Sequence, residues 1–556
     1  MDDTFARFRW LRVPALLTVV GLLVAACGTS APTTSNLAKD QTLRVNNQVE
    51  PNSLDPGQEQ YDYEGAVGAS ISEALLKIKP DLSDAAPATA SSYSVSSDGL
   101  TWTFKIRSNA KWNDGKPVTG ADFVYAWQRI LDPRLAASYA DPFFDGTIAG
   151  AADYANLDPV KDAAKIPAFL SGLGLSAPDA STFVVKLQAP APYFKWIASL
   201  WMSAPVRKDV VDQYGSDKWA TSPTSLITNG QFKVSEMVSK DHITLVPNTY
   251  YWGGAPTLTK IINYEISDDN QAYAKYLNGE LDIDNVPLAN TQLVKNDPVL
   301  SKQIKFVPQL TLFWMDFNTR KAPFNNKDAR LAFSKAIDRN QLANNVGQGR
   351  WSAADYFIPK GMNGYRPDLG ATQAFDPAAA KTMLTSAVGD PSKITIDFLI
   401  RNSTANKQIG EFIAAQLQTN LGVKVNQIVI DSKTVTTRLR KHDYQLYVGG
   451  WGADYPDDQD WFDIWMTGSG NVFGGYSNPA YDALVKKADV ESDAKTRQGY
   501  YDQAQKILID DAAGGFLYQR NYMFLAKPYL QGLTTTAQDF SVVGDWFWGK
   551  VSIASH

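Results

Sequence analysis

The stretch ITIDFLIRNSTANKQIGEFIAAQLQTNLGVKVNQIVIDSKTVTTRLRKHDYQLYVG, residues 394–449, decides the fold class. It reads as a strand at 394–400, a helix at 406–420, a strand at 423–430, a helix near 433–441 and a strand at 444–449. Upstream, a strand at 311–318 leads into a helix at 327–337. Strands alternating with helices predict an α/β body whose helices pack on a sheet. The N-terminal half is less regular. Thr42–Val45 reads as a short strand, and Asn52 to Gly57 as a turn cluster. Glu64–Leu76 has helical apolar spacing through Val67, Ile71, Ala74 and Leu75. Leu100–Ile106, Thr182–Leu187 and His242–Val246 alternate as strands, and Ile261–Ile266 is another. Thr119 caps a helix that runs to Leu131, with Asp122 three residues on, and Asp132-Pro133 ends it. Asp268–Leu277 reads as one more helix. Nothing repeats with a period of 20–50 residues, which excludes solenoids and propellers.

At 556 residues the chain exceeds one ordinary core. At roughly 150 residues per domain, about three or four lobes are expected. A composition of 44% hydrophobic and 20% charged residues is that of a globular protein and excludes wholesale disorder. The 53 basic residues against 58 acidic ones leave a net charge of −5. That gives no whole-chain electrostatic footprint for nucleic acid. One cysteine forms no internal disulfide, and three scattered histidines leave little from which to build a zinc or copper site. No metal and no cofactor is therefore expected. Aromatic residues at 12% suit either an enclosed amphipathic ligand or plain core packing.

The cysteine sits where an export signal would place it. Arg7, Arg9 and Arg12 precede an uncharged apolar run from Val13 to Ala26. That run is shorter than the ~20 residues a membrane-spanning helix needs, and it fits a signal-peptide core. It closes on Val24-Ala-Ala-Cys27, which resembles a bacterial lipobox. The plainer alternative is a buried free thiol. On the lipobox reading residues 1–26 are a signal peptide, Cys27 carries the lipid, and 27–39 form a solvated tether outside the membrane.

A catalyst finds little here. There is no Gly-x-Ser-x-Gly elbow, no His-Glu-x-x-His and no phosphate-cradling glycine loop. His242 reads as a solvent-facing strand residue and His442 as part of a charged turn. The acids Asp457, Asp458, Asp460 and Asp463 lack calcium-loop spacing. They read instead as the first turn of a helix with Pro456 at its first position. A carboxylate pair could still hide among the acids, so a secreted hydrolase stays open on motif alone.

Seven pieces stand in order along the body. They are Ser53-Leu-Asp-Pro56, Leu100 to Arg107, Ala110 to Thr119 with Asp122 to Trp127, Pro247 to Gly253, Asp316-Phe-Asn-Thr319 with Pro323-Phe324, Arg330 to Asp338, and Gly450-Trp-Gly-Ala-Asp-Tyr-Pro456. Together they resemble the family 5 solute-binding proteins of ABC importers, in the oligopeptide- and dipeptide-binding branch, over about residues 40 to 556. The resemblance implies a three-lobed periplasmic-binding-protein-like α/β fold (type II, cluster C). Lobe I would comprise 40–72, 204–308 and 525–556, lobe II 73–203 and lobe III 309–524. Two crossing hinge strands near 310 and 525 would join them. It also implies a monomer that traps a peptide between lobes I and III and presents it to permease subunits served by cytoplasmic ATPases. An oligosaccharide or other solute is the alternative cargo.

Peptides share main-chain donors and acceptors, so pairing them as an added strand gives affinity without side-chain specificity. Their free amine then wants a fixed carboxylate. By the resemblance, Asp454 is that carboxylate, Gly450 and Gly452 pair with the ligand backbone, and Trp451 walls a side-chain pocket. Gln60, Tyr61 and Asp62 form the opposing loop, and Tyr139 is a cleft tyrosine. A turn role for Asp454 and a core role for Tyr139 are the plainer alternatives. The chain departs from oligopeptide binders at Val448, Val435 and Asn406, where they carry arginine, tryptophan and histidine. Lys407 and Arg401 are the candidate replacement cations.

Overall fold

A computed structural model describes residues 36–137, 140 and 147–556. Its spine is one eleven-stranded sheet. In chain order the principal strands are β1 (Thr42–Asn46), β2 (Phe232–Val238), β3 (His242–Pro247), β4 (Lys260–Tyr264), β5 (Ile283–Asn285), β6 (Ile304–Phe317), β7 (Thr395–Arg401), β8 (Lys424–Ile430), β9 (Leu446–Gly452) and β10 (Gly514–Ala526). Across the sheet the order is β8-β7-β9-β6-β10-β5-β1-β4-β3-β2, and the short strand Ser352–Ala353 pairs with β10. β1 runs parallel to β4 and β5, and β7 runs parallel to β8 and β9. The two halves meet through the antiparallel pair β6 and β10, the longest strands of the sheet.

That pair is broken at its middle. The register runs from Ile304 opposite Leu525 to Pro308 opposite Asn521, then resumes at Leu312 opposite Gln519. Gln309, Leu310 and Thr311 therefore face Arg520 alone. Proline donates no ladder hydrogen bond and is tolerated within a sheet at bulges, so Pro308 marks the break. The buried Gln519 side chain closes the gap. Its Nε2 donates to the carbonyls of Gln309 (2.8 Å) and Lys360 (3.1 Å), and its Oε1 accepts from the Lys360 N–H (3.0 Å) and the Tyr356 hydroxyl (3.1 Å).

A second body hangs from the N-terminal half. Ala90–Val95, Thr101–Ile106, Thr182–Lys186 and Leu175–Asp179 form a four-stranded antiparallel sheet. The helix Gly120–Ile130 lies on it, burying Phe123, Ala126, Trp127 and Ile130 as the spacing predicts. Its cap also matches: the Asp122 carboxylate accepts the Thr119 N–H at 2.8 Å. Trp102, Phe104, Phe123, Trp127 and Phe183 pack ring against ring beneath it. With this body and the two halves of the long sheet the α/β fold has three lobes.

The buried Asp55, from Ser53-Leu-Asp-Pro56, joins the second body to the first. It accepts both Nη atoms of the buried Arg129 at 2.8 and 2.6 Å, and the Trp219 indole at 3.2 Å.

Several boundaries differ from expectation, three of them instructively. The helix placed at 64–76 spans Asp62–Ile71 instead. Its Ile71 carbonyl accepts from Gly230 at 2.7 Å, and a Cβ on Gly230 would lie 2.3 Å from the Ile71 carbonyl carbon, so the neighbouring chain seals the helix end. Ala74 and Leu75 stay apolar because they are buried beyond the helix, Leu75 in the core of the second body. The strand placed at 311–318 begins earlier, at Ile304, and the one placed at 444–449 runs from Leu446 to Gly452.

Replacing Asp55 with alanine leaves Arg129 buried and uncompensated. The variant should lose about 3–5 kcal/mol in urea unfolding, whereas a loss below 1 kcal/mol would show that the pair does not join the two bodies.

Candidate functional site

A cavity of about 350 Å³ opens at the broken ladder. Gln309, Leu310, Thr311 and Arg520 come from the break itself. Gln60, Tyr61 and Asp62 line one side and Gly450 to Asp454 another, with Trp201 and Phe540 among the remaining walls. Seven of the residues singled out in the sequence thus meet at one place.

The loop before the helix Asp62–Ile71 is held from beneath. The buried Glu64 carboxylate accepts the N–H groups of Gln60 (2.7 Å), Tyr61 (3.1 Å) and Asn52 (3.1 Å). Tyr61 stays 51% exposed and stacks on Tyr63 at 5.3 Å. Asp62 is exposed at the first helical position.

Opposite, β9 pairs with β6 along Leu446–Gly452 but with β7 only at Leu446 and Tyr447. Among the described residues, the outer edge of Val448–Gly452 has no strand beside it. Gly450 and Gly452 are glycines for packing reasons. A Cβ on Gly450 would lie 2.6 Å from the Phe313 ring, and one on Gly452 would lie 2.9 Å from Thr311 Oγ1.

Beyond the strand the chain is pinned at each step. The Ala453 N–H donates to the Leu310 carbonyl at 2.8 Å, and its carbonyl accepts from Gln538 Nε2 at 2.9 Å. The buried Asp460 carboxylate accepts the Trp451 indole at 2.9 Å and the Asp454 N–H at 3.3 Å. Burial, and then the charge of Asp454 nearby, push Asp460 well above the ordinary carboxylate range. That direction favours the neutral form of Asp460, while Asp454 is half-exposed at the cavity wall. Tyr455 turns away and stacks on Tyr193 of the second body, with centroids 6.4 Å apart.

Pro456 is not the first helical position, although Asp460 does fall in a helix's first turn. The helix is Gln459–Asp463, starting three residues beyond Pro456. Asp457 meets Arg497 through two hydrogen bonds of 2.7 and 2.9 Å, and Asp458 accepts the Gly364 N–H at 3.0 Å. These acids bind distant donors because they are buried, a constraint stronger than the helix dipole. Among the described residues no group of three or more His, Cys, Asp or Glu side chains is placed to hold a metal ion. His242 is half-buried rather than solvent-facing, with Nδ1 2.6 Å from Asp241 and Nε2 3.3 Å from Glu236. Both carboxylates raise its pKa.

Arg401 and Lys407 do not line the cavity. Arg401 donates Nε to the Tyr447 hydroxyl at 2.8 Å and Nη1 to the Ser432 carbonyl at 3.2 Å. Lys407 is exposed in the first turn of the helix Thr404–Leu421. Tyr139 and Cys27 lie outside the described residues. Sequence reasoning missed Arg520, Gln309 and Gln538. The one available signal was Pro308 inside an apolar strand, which marks a bulge without saying what faces it.

Asp460→Asn keeps an acceptor for Trp451 and should unfold in urea within about 1 kcal/mol of the parent. Asp460→Ala leaves the indole N–H without its partner and should lose about 1–3 kcal/mol. Equal losses in the two variants would refute the preference of Asp460 for its neutral form.

A model of the bacterial extracellular solute-binding proteins, family 5 Middle, matches residues 84–473. The periplasmic oligopeptide-binding protein OppA of Salmonella typhimurium is 32% identical over 532 residues, covering 93% of this chain and 95% of that protein. The periplasmic murein peptide-binding protein MppA of Escherichia coli is 32% identical over 529 residues, with coverage of 93% and 95%. The solved structure of the Escherichia coli murein tripeptide binding protein MppA matches with a TM-score of 0.78 at 30% identity, over 94% of this chain and 100% of that one. With the likeness running through both bodies, the broken strand pair and the cavity wall, the chain belongs to family 5 of the bacterial extracellular solute-binding proteins.

Proposed function

We propose that this protein captures peptides outside the cytoplasm and hands them to the permease of an ABC importer. The observation that carries the reading is the free outer edge of Val448–Gly452 beside Asp454. An unpaired strand edge offers N–H and C=O groups in the spacing of an extended backbone, and any peptide can meet them. Asp454, two residues beyond the edge, then receives the ligand's α-ammonium in a charge-assisted hydrogen bond. Gln60–Asp62 closes over the other side. The relatives support the same cargo: beside the two above, the dipeptide-binding protein DppE of Bacillus subtilis is 30% identical over 506 residues. An oligosaccharide would meet the aromatic walls Trp201, Phe313 and Trp451, but it carries no charge to answer Asp62, Asp454 and Arg520, so it draws less support.

On this reading the lobes divide near 72, 203, 308 and 524, and the protein works as a monomer. A lipid on Cys27 tethers it to the membrane, and residues 27–39 give it reach toward the permease.

Isothermal titration with free-amine peptides tests the site. Asp454→Ala should weaken binding by about 2–5 kcal/mol, the range for removing one partner of a buried charge pair. Equal affinity of the parent protein for a peptide and its N-acetylated form would exclude the amine role.

Fractionation of expressing cells tests the anchor. Cys27→Ser should move the protein from the membrane pellet to the soluble extracytoplasmic fraction, and continued membrane retention would overturn it.

A further inference from the structure

The cavity contains one cation whose role the peptide reading leaves open. Arg520 lies in β10 opposite the three-residue bulge, half-buried, with one face of its guanidinium 4.8 Å from the Tyr522 ring. Its Nη2 donates to Gln309 Oε1 at 3.2 Å, while its Nε is buried and has no hydrogen-bond partner. Among the described residues no carboxylate lies within 4.0 Å of it, although Asp62, Asp454 and Asp539 line the same cavity.

Three arginines buried more deeply are more fully engaged. Arg129 holds Asp55 through two hydrogen bonds. Arg330 donates to the carbonyls of Ala512, Phe324 and Asp511. Arg339 donates to the carbonyls of Phe516 and Ile337 and to the Ser334 hydroxyl. A guanidinium offers five N–H donors in a planar fork that fits a carboxylate. Arg520 has committed one of its nitrogens, to a neutral amide, and the cavity is the space left in front of it.

Neighbouring strands lie about 4.8 Å apart, and β9 and β10 flank β6 on opposite sides, so Arg520 and Asp454 belong to walls roughly 10 Å apart. An extended peptide covers that distance in about three residues.

We propose that Arg520 binds a carboxylate of the ligand, so that the cavity selects peptides carrying a negative group about two or three residues from the free amine. The proposal rests on the peptide reading above and narrows it. Two sources share this chemistry: the C-terminal carboxylate of a di- or tripeptide, and an acidic side chain near the second or third position of a longer peptide.

The test is calorimetric titration of the full soluble body with alanine peptides of two to six residues. Each is used as the free acid and as the C-terminal amide, with a second amide series carrying one glutamate at successive positions. Against the parent protein, the best carboxylate-bearing peptide should bind at least tenfold tighter than its neutral amide. In Arg520→Gln that ratio should fall below about threefold, and Arg520→Lys should keep part of it. A preference restricted to free-acid di- and tripeptides assigns the site to the C-terminus. A preference regained by glutamate amides assigns it to a side chain. Equal binding of acids and amides by the parent protein overturns the proposal, as does a preference that survives in Arg520→Gln. Failure of every peptide to bind would instead overturn the peptide reading itself. Thermal melting of each variant within a few degrees of the parent separates lost recognition from lost folding.

Discussion

The antiparallel pairing of β6 with β10 is the connection on which the rest of the molecule depends. It alone carries the sheet from β9 to β5, so the packing on either half transmits force to the other through these two backbones. An unbroken ladder of this length would make the halves one rigid body. The three-against-one bulge at Gln309–Thr311 removes backbone bonds at that level and favours bending there, with a second, smaller register shift between Phe313 and Trp314. The Gln519 side chain, with four hydrogen bonds, replaces enough of what is lost to keep the level ordered. The cavity lies at that same level. A ligand touching Gln309, Thr311 or Arg520 therefore touches the bend, and its contacts can differ between open and closed arrangements, as any population shift requires.

Most of the motif residues that carry the family likeness hold turns and joints rather than ligand. Asp55 clamps Arg129 and Trp219. Asn248, within Pro247 to Gly253, donates to the Gly230 carbonyl at 2.9 Å and accepts the Tyr250 N–H at 3.0 Å. Asn318 donates to the carbonyls of His442 and Tyr444 at 2.9 and 2.8 Å. Such buried polar side chains are costly to change because each leaves backbone groups unsatisfied. They position the cavity walls without entering the cavity.

The fold class was legible in the sequence because periodicity is local: the strands and helices of 394–449 each show their own buried face. The wall from Gly450 to Asp454 was legible because it is one continuous segment. Arg520 was not, since what gives it meaning is Gln309, 211 positions away, and a bulge that strand periodicity does not encode. The helix end at Ile71 was hidden for the same reason, being set by Gly230. Pro456 misled because its neighbours favour a helix start locally, while burial sends Asp457 and Asp458 to Arg497 and Gly364. The aromatic surplus divides: Trp112, Trp127, Trp219, Trp461, Trp465 and Trp548 are fully buried in cores, whereas Tyr61, Trp201, Phe313, Trp451 and Phe540 line the cavity.

Asp454 and Asp460 sit close enough for each to feel the other's charge, yet their environments differ sharply. Among the described residues the buried Asp460 receives two N–H donors, both on one oxygen, so ionising it would strand charge in a poor solvent. Asp454 borders the cavity, where water or an arriving ammonium can solvate it. Desolvation thus pushes the Asp460 carboxyl up and favours its neutral form. The inner acid fixes the Trp451 wall through its oxygen. On the opposite side Arg520 has no carboxylate within 4.0 Å among the described residues. A cavity with its negative wall and its positive wall kept apart by the width of three strands is complementary to a molecule whose own charges stand apart in the opposite sense.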